Sequence, residues 1–193
     1  MQRKPVLLVV SGPSGAGKDS LVDELRRLEP ELAYSVSATT RARRPGEVDG
    51  VHYHFLNREN FQRRLSAGEF IESREYAGNF YGTPRRFVES ALDSGRDIVM
   101  KPEVNGAAAI KTAYPETVMV FLRPPSASVL AERLERRSTE NADAIAERLA
   151  IAHDEAERLA AYDYVVVNDV FDAALLQLHA ILIAERTKVC RVL

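Results

Sequence analysis

Apolar and polar positions along the chain alternate between two periods. Val6 to Val10 is an unbroken apolar run rich in β-branched residues, the pattern of a strand buried on both faces. Leu21, Val22, Leu25 and Leu28 then recur at helical spacing, which predicts a one-faced helix soon afterwards. Ile98 to Met100, Thr117 to Leu122 and Tyr164 to Val167 read as further buried strands. Helical patterns separate them at Arg86 to Leu92, Ser126 to Arg136 with Ser126 as N-cap, Ala142 to Ala160, and Phe171 to Ala184. Strands alternating with helices predict an α/β fold with a parallel sheet and right-handed crossovers.

Two stretches break this rhythm. From 35 to 83 the chain is polar and turn-rich (RPGEVDG), with short strand-like pieces at Phe70 to Tyr76 and Asn79 to Gly82. It reads as an inserted mixed α/β subdomain. A second hydrophilic segment, RRSTENADAIAER, starts at Arg136. The expected division is a single domain: a core of 1–34, 84–136 and 149–193, an insertion at 35–83 and a small lid at 137–148. Two polar insertions on an α/β core predict flaps that close over a substrate.

Bulk properties narrow the classes. With 193 residues, 46% of them hydrophobic, the chain can bury one sizeable core. A formal net charge of −2 offers no basic footprint for nucleic acid. Cys190 is the single cysteine, which precludes an internal disulfide and fits a reducing compartment. The first apolar run is too short to span a bilayer, and a glycine loop follows it instead of a cleavage site. The expectation is a cytoplasmic protein with no membrane or nucleic-acid partner.

Candidate chemistry begins at GPSGAGKDS, Gly12 to Ser20. It follows G-x-x-x-x-G-K-[ST] except that Asp19 replaces the hydroxyl residue that normally ligates magnesium. Glycines let backbone N–H groups converge on phosphate oxygens, the helix N-terminus adds its dipole, and Lys18 adds a mobile charge. Arg41, Arg43 and Arg44 crowd one turn, with Tyr53 downstream. They are either a fork for a phosphate dianion or a solvated basic loop. Glu72 lies in a strand-like piece, followed by Tyr81, Gly82 and Thr83. A carboxylate there can accept from the N1–H and N2–H₂ edge of guanine, with the Ser37 and Thr83 hydroxyls donating to O6. Alternatively Glu72 is a surface strand residue.

SGPSGAGK, SVSATTR, RPGEVDGVHYHF, GNFYGTPR and VVVND, in this order, resemble the guanylate kinase family from about Val6 to Asp169. The resemblance implies a P-loop kinase with a central parallel five-stranded sheet, a GMP-binding insertion and a lid. ATP is then the phosphoryl donor and Mg²⁺ its cofactor. It implies a guanine contact at Ser37, Glu72 and Thr83, and a GMP site completed by Arg41, Arg44, Tyr53, Tyr81 and Glu103. The ATP side takes Gly12, Pro13, Ser14, Gly15, Ala16, Gly17, Lys18, Asp19, Ser20, Arg133, Asn168 and Asp169. Lys18, Arg44, Arg137 and Arg148 would act on the transferring phosphoryl group, and Asp19 and Ser20 on Mg²⁺.

The chain departs from the family at two places. Asp19 stands where a hydroxyl residue is usual. KPEVNG stands where the family has a segment like E-I-D-x-Q-G, so Lys101 replaces its first acid and Glu103 its second. One position loses a negative charge and another gains one, which predicts that Asp19 either serves near magnesium or pairs with Lys101. Asp after the P-loop lysine also resembles ribose 1,5-bisphosphate phosphokinases, and silent guanylate-kinase-like binding modules form a third class. The retained Ser37, Glu72 and Thr83 argue against the sugar-phosphate reading, and the intact Gly12, Gly17 and Lys18 against the module.

Overall fold

A computed structural model of the chain describes residues 3–76, 78–135 and 157–192. Strand β1 (Leu7–Ser11) is buried at every position, as its apolar run requires. It is the middle of a five-stranded sheet with β2 (Ala33–Tyr34), β7 (Ile98–Met100), β8 (Val118–Arg123) and β9 (Tyr164–Val167), in the order β2-β7-β1-β8-β9. Every pairing in it is parallel.

Alternation along β1 sorts the core into two layers. Leu8 and Val10 face Leu21, Val22 and Leu25 of α1 (Lys18–Leu28) and Ala174, Leu178 and Leu182 of α6 (Phe171–Arg186). Leu7 and Val9 face the opposite layer. There they meet Val88 and Ala91 of α3 (Arg85–Asp93) and Ala107 and Ile110 of α4 (Val104–Ala113). Leu28, expected on the packed face of α1, is the last residue of the helix and is 49% exposed.

The insertion forms a second sheet, ordered β4-β3-β6-β5, from β3 (Ala38–Thr39), β4 (His54–Phe55), β5 (Phe70–Tyr76) and β6 (Asn79–Pro84). Helix α2 (Arg58–Ser66) closes one side of it. Asn57 caps this helix by accepting from the Asn60 N–H at 2.7 Å, and Phe61 stacks on Phe70 and Phe80. Helix α5 (Ala127–Glu135) begins as expected after Ser126, whose Oγ accepts from the Val129 N–H at 3.2 Å.

The helix expected over Ala142 to Ala160 lies almost wholly outside the described residues. Its described end, Glu157–Ala161, is a 3₁₀ turn. Among the described residues no helix is long and apolar enough to cross a membrane.

Candidate active site

Between β1 and α1 the chain must turn within a few residues and expose its amides, and three glycines with positive φ do this. Gly12, Gly15 and Gly17 have φ of 138°, 90° and 96°, values that side-chain-bearing residues rarely adopt. Two of these positions are also sterically closed. A Cβ on Gly12 would lie 2.0 Å from the Leu122 carbonyl oxygen, and one on Gly17 would lie 2.3 Å from Asn168 Nδ2. Asn168, 6% exposed, donates from Nδ2 to the Ala16 carbonyl at 2.8 Å and so fastens the loop from behind. Its own carbonyl accepts from Arg133 Nη2 at 2.9 Å, joining α5 to the end of β9. Asp169 is exposed.

Lys18 Nζ folds over the loop, donating to the Gly12 carbonyl and, at 3.1 Å, to the Pro13 carbonyl. Glu103 Oε2 lies 3.8 Å from the same ammonium. One residue on, Asp19 Oδ1 accepts from Lys101 Nζ. The two residues that depart from the family pattern are therefore partners. Burial works to lower the Lys101 pKa, but the Asp19 charge and the Tyr34 hydroxyl outweigh it and push the value well up. Ser20 is exposed on α1 and is not among the residues lining the cleft.

The opposite wall comes from the insertion. Arg41 Nη2 donates to Glu47 Oε1 at 2.7 Å, and Glu47 Oε2 accepts from the Arg44 N–H at 2.7 Å. Burial works to raise the Glu47 pKa. The Arg41 hydrogen bond, the Arg44 N–H and both charges win and hold it below the usual carboxylate range. The Arg41 guanidinium lies over the rings of Tyr53 and Phe55 at 5.5 and 5.7 Å, and Tyr53 meets Tyr81 edge-on at 6.1 Å. Arg41, Arg44, Tyr53 and Tyr81 line one cleft of about 280 Å³ together with Pro13, Ser14, Gly15, Gly17, Lys18, Asp19, Lys101 and Glu103.

The expected base-reading residues, Ser37, Glu72 and Thr83, are not among the residues lining that cleft. Glu72 Oε1 accepts from Thr83 Oγ1 at 2.7 Å, and Thr83 is 1% exposed. Burial pushes the Glu72 pKa up, against the Thr83 hydrogen bonds and the Arg74 charge. Glu72 is therefore no solvent-facing strand residue. The Ser37 carbonyl accepts from the His54 N–H at 2.9 Å, and the residue is half-buried. Arg137 and Arg148, with the expected lid at 137–148, lie outside the described residues.

Three residues with parts in this arrangement had no reading from the sequence. Glu47 orders the arginine turn, and its signal was its place in RPGE, three residues after Arg44. Gly106 lets α4 approach Glu72: a Cβ there would lie 2.7 Å from Glu72 Oε2. Its only trace is a glycine in the first turns of a helix. Arg74, discussed below, stands two residues from Glu72 in a stretch, SREY, that reads as a solvated strand.

A phosphate loop that shares a cleft with an arginine- and tyrosine-bearing insertion, on a parallel sheet covered by helices on both faces, defines a P-loop nucleotide kinase. A family model described as guanylate kinase matches residues 2–185. Guanylate kinase of Carboxydothermus hydrogenoformans is 45% identical over 189 residues, 98% of this chain and 93% of that protein. Guanylate kinase of Desulfitobacterium hafniense is 46% identical over 190 residues, 98% and 95% respectively. The crystal structure of guanylate kinase from Anaplasma phagocytophilum superposes with a TM-score of 0.83 at 36% identity, covering 98% of this chain and 90% of that one. The chain belongs to the guanylate kinase family.

Proposed function

We propose that this chain transfers the γ-phosphoryl group of ATP to the 5′-phosphate of GMP, and of dGMP, releasing ADP and the nucleoside diphosphate. The observation that carries this reading is Glu72: a half-buried carboxylate, hydrogen-bonded by Thr83, beside Arg74, which reaches Glu103 of the cleft lined by both the phosphate loop and Arg41, Arg44, Tyr53 and Tyr81. Guanine presents two donors on its Watson–Crick edge and adenine does not, so a buried acceptor left unpaired by AMP discriminates by about 10⁴. A ribose phosphate has no base for Glu72 to read, so the sugar-phosphate alternative is not favoured.

In this reading the loop amides and Lys18 grip the β- and γ-phosphates. Arg41, Arg44, Tyr53 and Tyr81 seat the acceptor phosphate in line with them. No general base is required, because a phosphate dianion is already the nucleophile and catalysis consists of alignment and charge compensation. Arg137 and Arg148 of the 137–148 segment are assigned the task of neutralising the equatorial oxygens, with Arg133, Asn168 and Asp169 on the nucleotide side. The insertion 35–83 is assigned to the acceptor.

Mg²⁺ binds through one or two carboxylates plus substrate phosphates. Asp19, a carboxylate at the cleft wall beside Lys18 and paired with Lys101, fits that donor set; Ser20, expected as a second ligand, is exposed and does not line the cleft. When bound, the ion supplies charge neutralisation on the phosphate oxygens. A single cysteine and a net charge of −2 support a small-molecule enzyme of the cytoplasm.

The test is a coupled assay of ADP release with Mg-ATP and, in turn, GMP, dGMP, AMP and ribose 1,5-bisphosphate. Turnover of the two guanine nucleotides alone supports the reading. Turnover of the sugar phosphate, or binding of GMP without turnover, overturns it.

A further inference from the structure

Glu103 lines the cleft and Glu72 does not, and one guanidinium, that of Arg74, acts on both carboxylates. Arg74 lies on β5 two residues from Glu72, just past a register shift between Phe70 and Ser73, and its charge acts on the Glu72 carboxylate. Its guanidinium is seated over the Tyr76 ring, 5.2 Å from the centroid, and its side chain is 15% exposed. Nη2 is buried and has no hydrogen-bond partner among the described residues. That nitrogen stands 3.8 Å from Glu103 Oε2, and the same oxygen stands 3.8 Å from Lys18 Nζ. Arg74, Glu103 and Lys18 thus form a cation–anion–cation row that runs from the insertion to the phosphate loop.

A guanidinium with an unused buried donor costs stability where it serves packing alone. We propose that Arg74 is a positioning residue for base recognition: a cation two residues from Glu72 and 3.8 Å from Glu103 that holds both carboxylates in place for guanine. This inference rests on the guanylate kinase reading above. Burial favours the protonated form of Glu72 and the Arg74 charge opposes it; without that cation the carboxyl keeps its proton to higher pH. A protonated Glu72 presents one acceptor where the N1–H and N2–H₂ pair needs two. The groups that face Glu72 are Thr83 from β6, Arg74 from its own strand and Gly106 from α4, with Glu103 at the start of α4 and Lys18 beyond it. Arg74 is the cation whose charge acts on the Glu72 carboxylate, and it opposes the upward pull of burial.

The experiment compares the full chain with its Arg74→Met and Arg74→Lys variants. It measures steady-state kinetics with GMP and ATP varied separately from pH 5 to 8, and calorimetric binding of GMP alone. Arg74→Met is expected to raise KM for GMP about tenfold, with a smaller change in kcat and in KM for ATP, and to move the acid limb of kcat/KM for GMP upward by about one pH unit. Arg74→Lys is expected to recover most of both effects, since it restores the charge without the fork. An Arg74→Met variant with the parent's GMP affinity and acid limb would overturn the inference. So would a loss that is the same at every pH and equal in the lysine variant, which marks a merely structural role. A parent chain inert toward GMP overturns the functional reading, and this inference with it.

Discussion

Lys101 meets Asp19 with a side chain that is only 10% exposed, whereas the carboxylate it meets is 59% exposed. The lysine is the fixed member of the pair and the aspartate the one open to nucleotide. Reversing the buried charge should therefore hurt more than removing the exposed one. Lys101→Glu is expected to lower kcat/KM for ATP by at least about tenfold, through repulsion between two acids in contact. Adding Asp19→Ser should recover activity above the Lys101→Glu level, since the repelling partner is then gone. Kinetics of both singles and the double close the cycle, and a double no better than Lys101→Glu would show the two residues to be independent.

Gly106 gives a second test at this scale. Its added Cβ would meet the far end of the Glu72 side chain, which can swing aside at small cost to folding. Alanine is also the better helix residue by about 1 kcal/mol. Gly106→Ala is thus expected to hold or raise the melting temperature while raising KM for GMP about tenfold, because the carboxylate it moves is the one that reads the base. Melting curves and GMP kinetics on the same preparation separate the two effects.

Among the elements, the strands that were legible in the sequence were those with unbroken apolar runs, although Tyr164–Val167, expected to be buried, is an edge strand in which only Val166 is buried. Ile98–Met100 and Tyr164–Val167 have the expected bounds, and β1 is displaced by one residue. Helix α4 was not legible: VNGAAAIKTA carries small residues on nearly every side, so no apolar stripe marks its buried positions. Strand β2 is two residues long, too short for any period, and exists because Ala33 and Tyr34 pair with Ile98 and Val99. In the site, the phosphate loop was readable from its spacing, while the arginine turn, open between two readings on its own, and the Asp19–Lys101 link were readable through the family resemblance and the charge balance it exposed. Arg74 and Glu47 were not, since charged residues in polar segments resemble solvated ones until their partners fold onto them.

Asn168 shows how one element depends on another. The residue follows β9 in sequence, yet its amide satisfies the Ala16 carbonyl of the loop after β1. Asn168→Ala would leave that carbonyl buried and unpaired, a loss of about 1–3 kcal/mol. It should also loosen the loop, raising KM for ATP more than KM for GMP. Denaturant melts and the two KM values check both statements.

Across the whole molecule, charge is gathered at both ends of the central sheet with opposite purposes. The cleft lies at the carboxyl ends of the strands, where a ligand completes the pairings. At the amino ends the charged groups find partners within the chain. Asp97, 5% exposed, accepts from both Arg3 guanidinium nitrogens at 2.6 and 2.5 Å, from the Val6 N–H at 2.7 Å and from Arg186 Nε at 2.7 Å. Arg186 continues to Glu29 at 2.9 Å. One carboxylate thereby joins the chain's first residues, the start of β1, the end of α6 and, through Arg186, the end of α1. Burial works to raise the Asp97 pKa, but Arg3, the Val6 amide and Arg186 hold it below the ordinary value. A carboxylate depressed in the folded state stabilises it fully above its unfolded pKa of about 4 and loses that contribution as pH falls through the folded value. The Asp97 contribution to thermal stability should therefore be flat from pH 7 to about 5 and be lost below about 4. Asp97→Asn removes one partner of a buried pair and should cost on the order of 3 kcal/mol at neutral pH. It should also flatten the acid drop, because the residue that titrates is gone. KM for GMP and for ATP should stay near the parent's, since the clasp and the cleft lie at opposite ends of the same strands. Calorimetric melts of parent and variant from pH 3 to 7 decide it, and a variant that keeps the full acid drop would place the titrating group elsewhere.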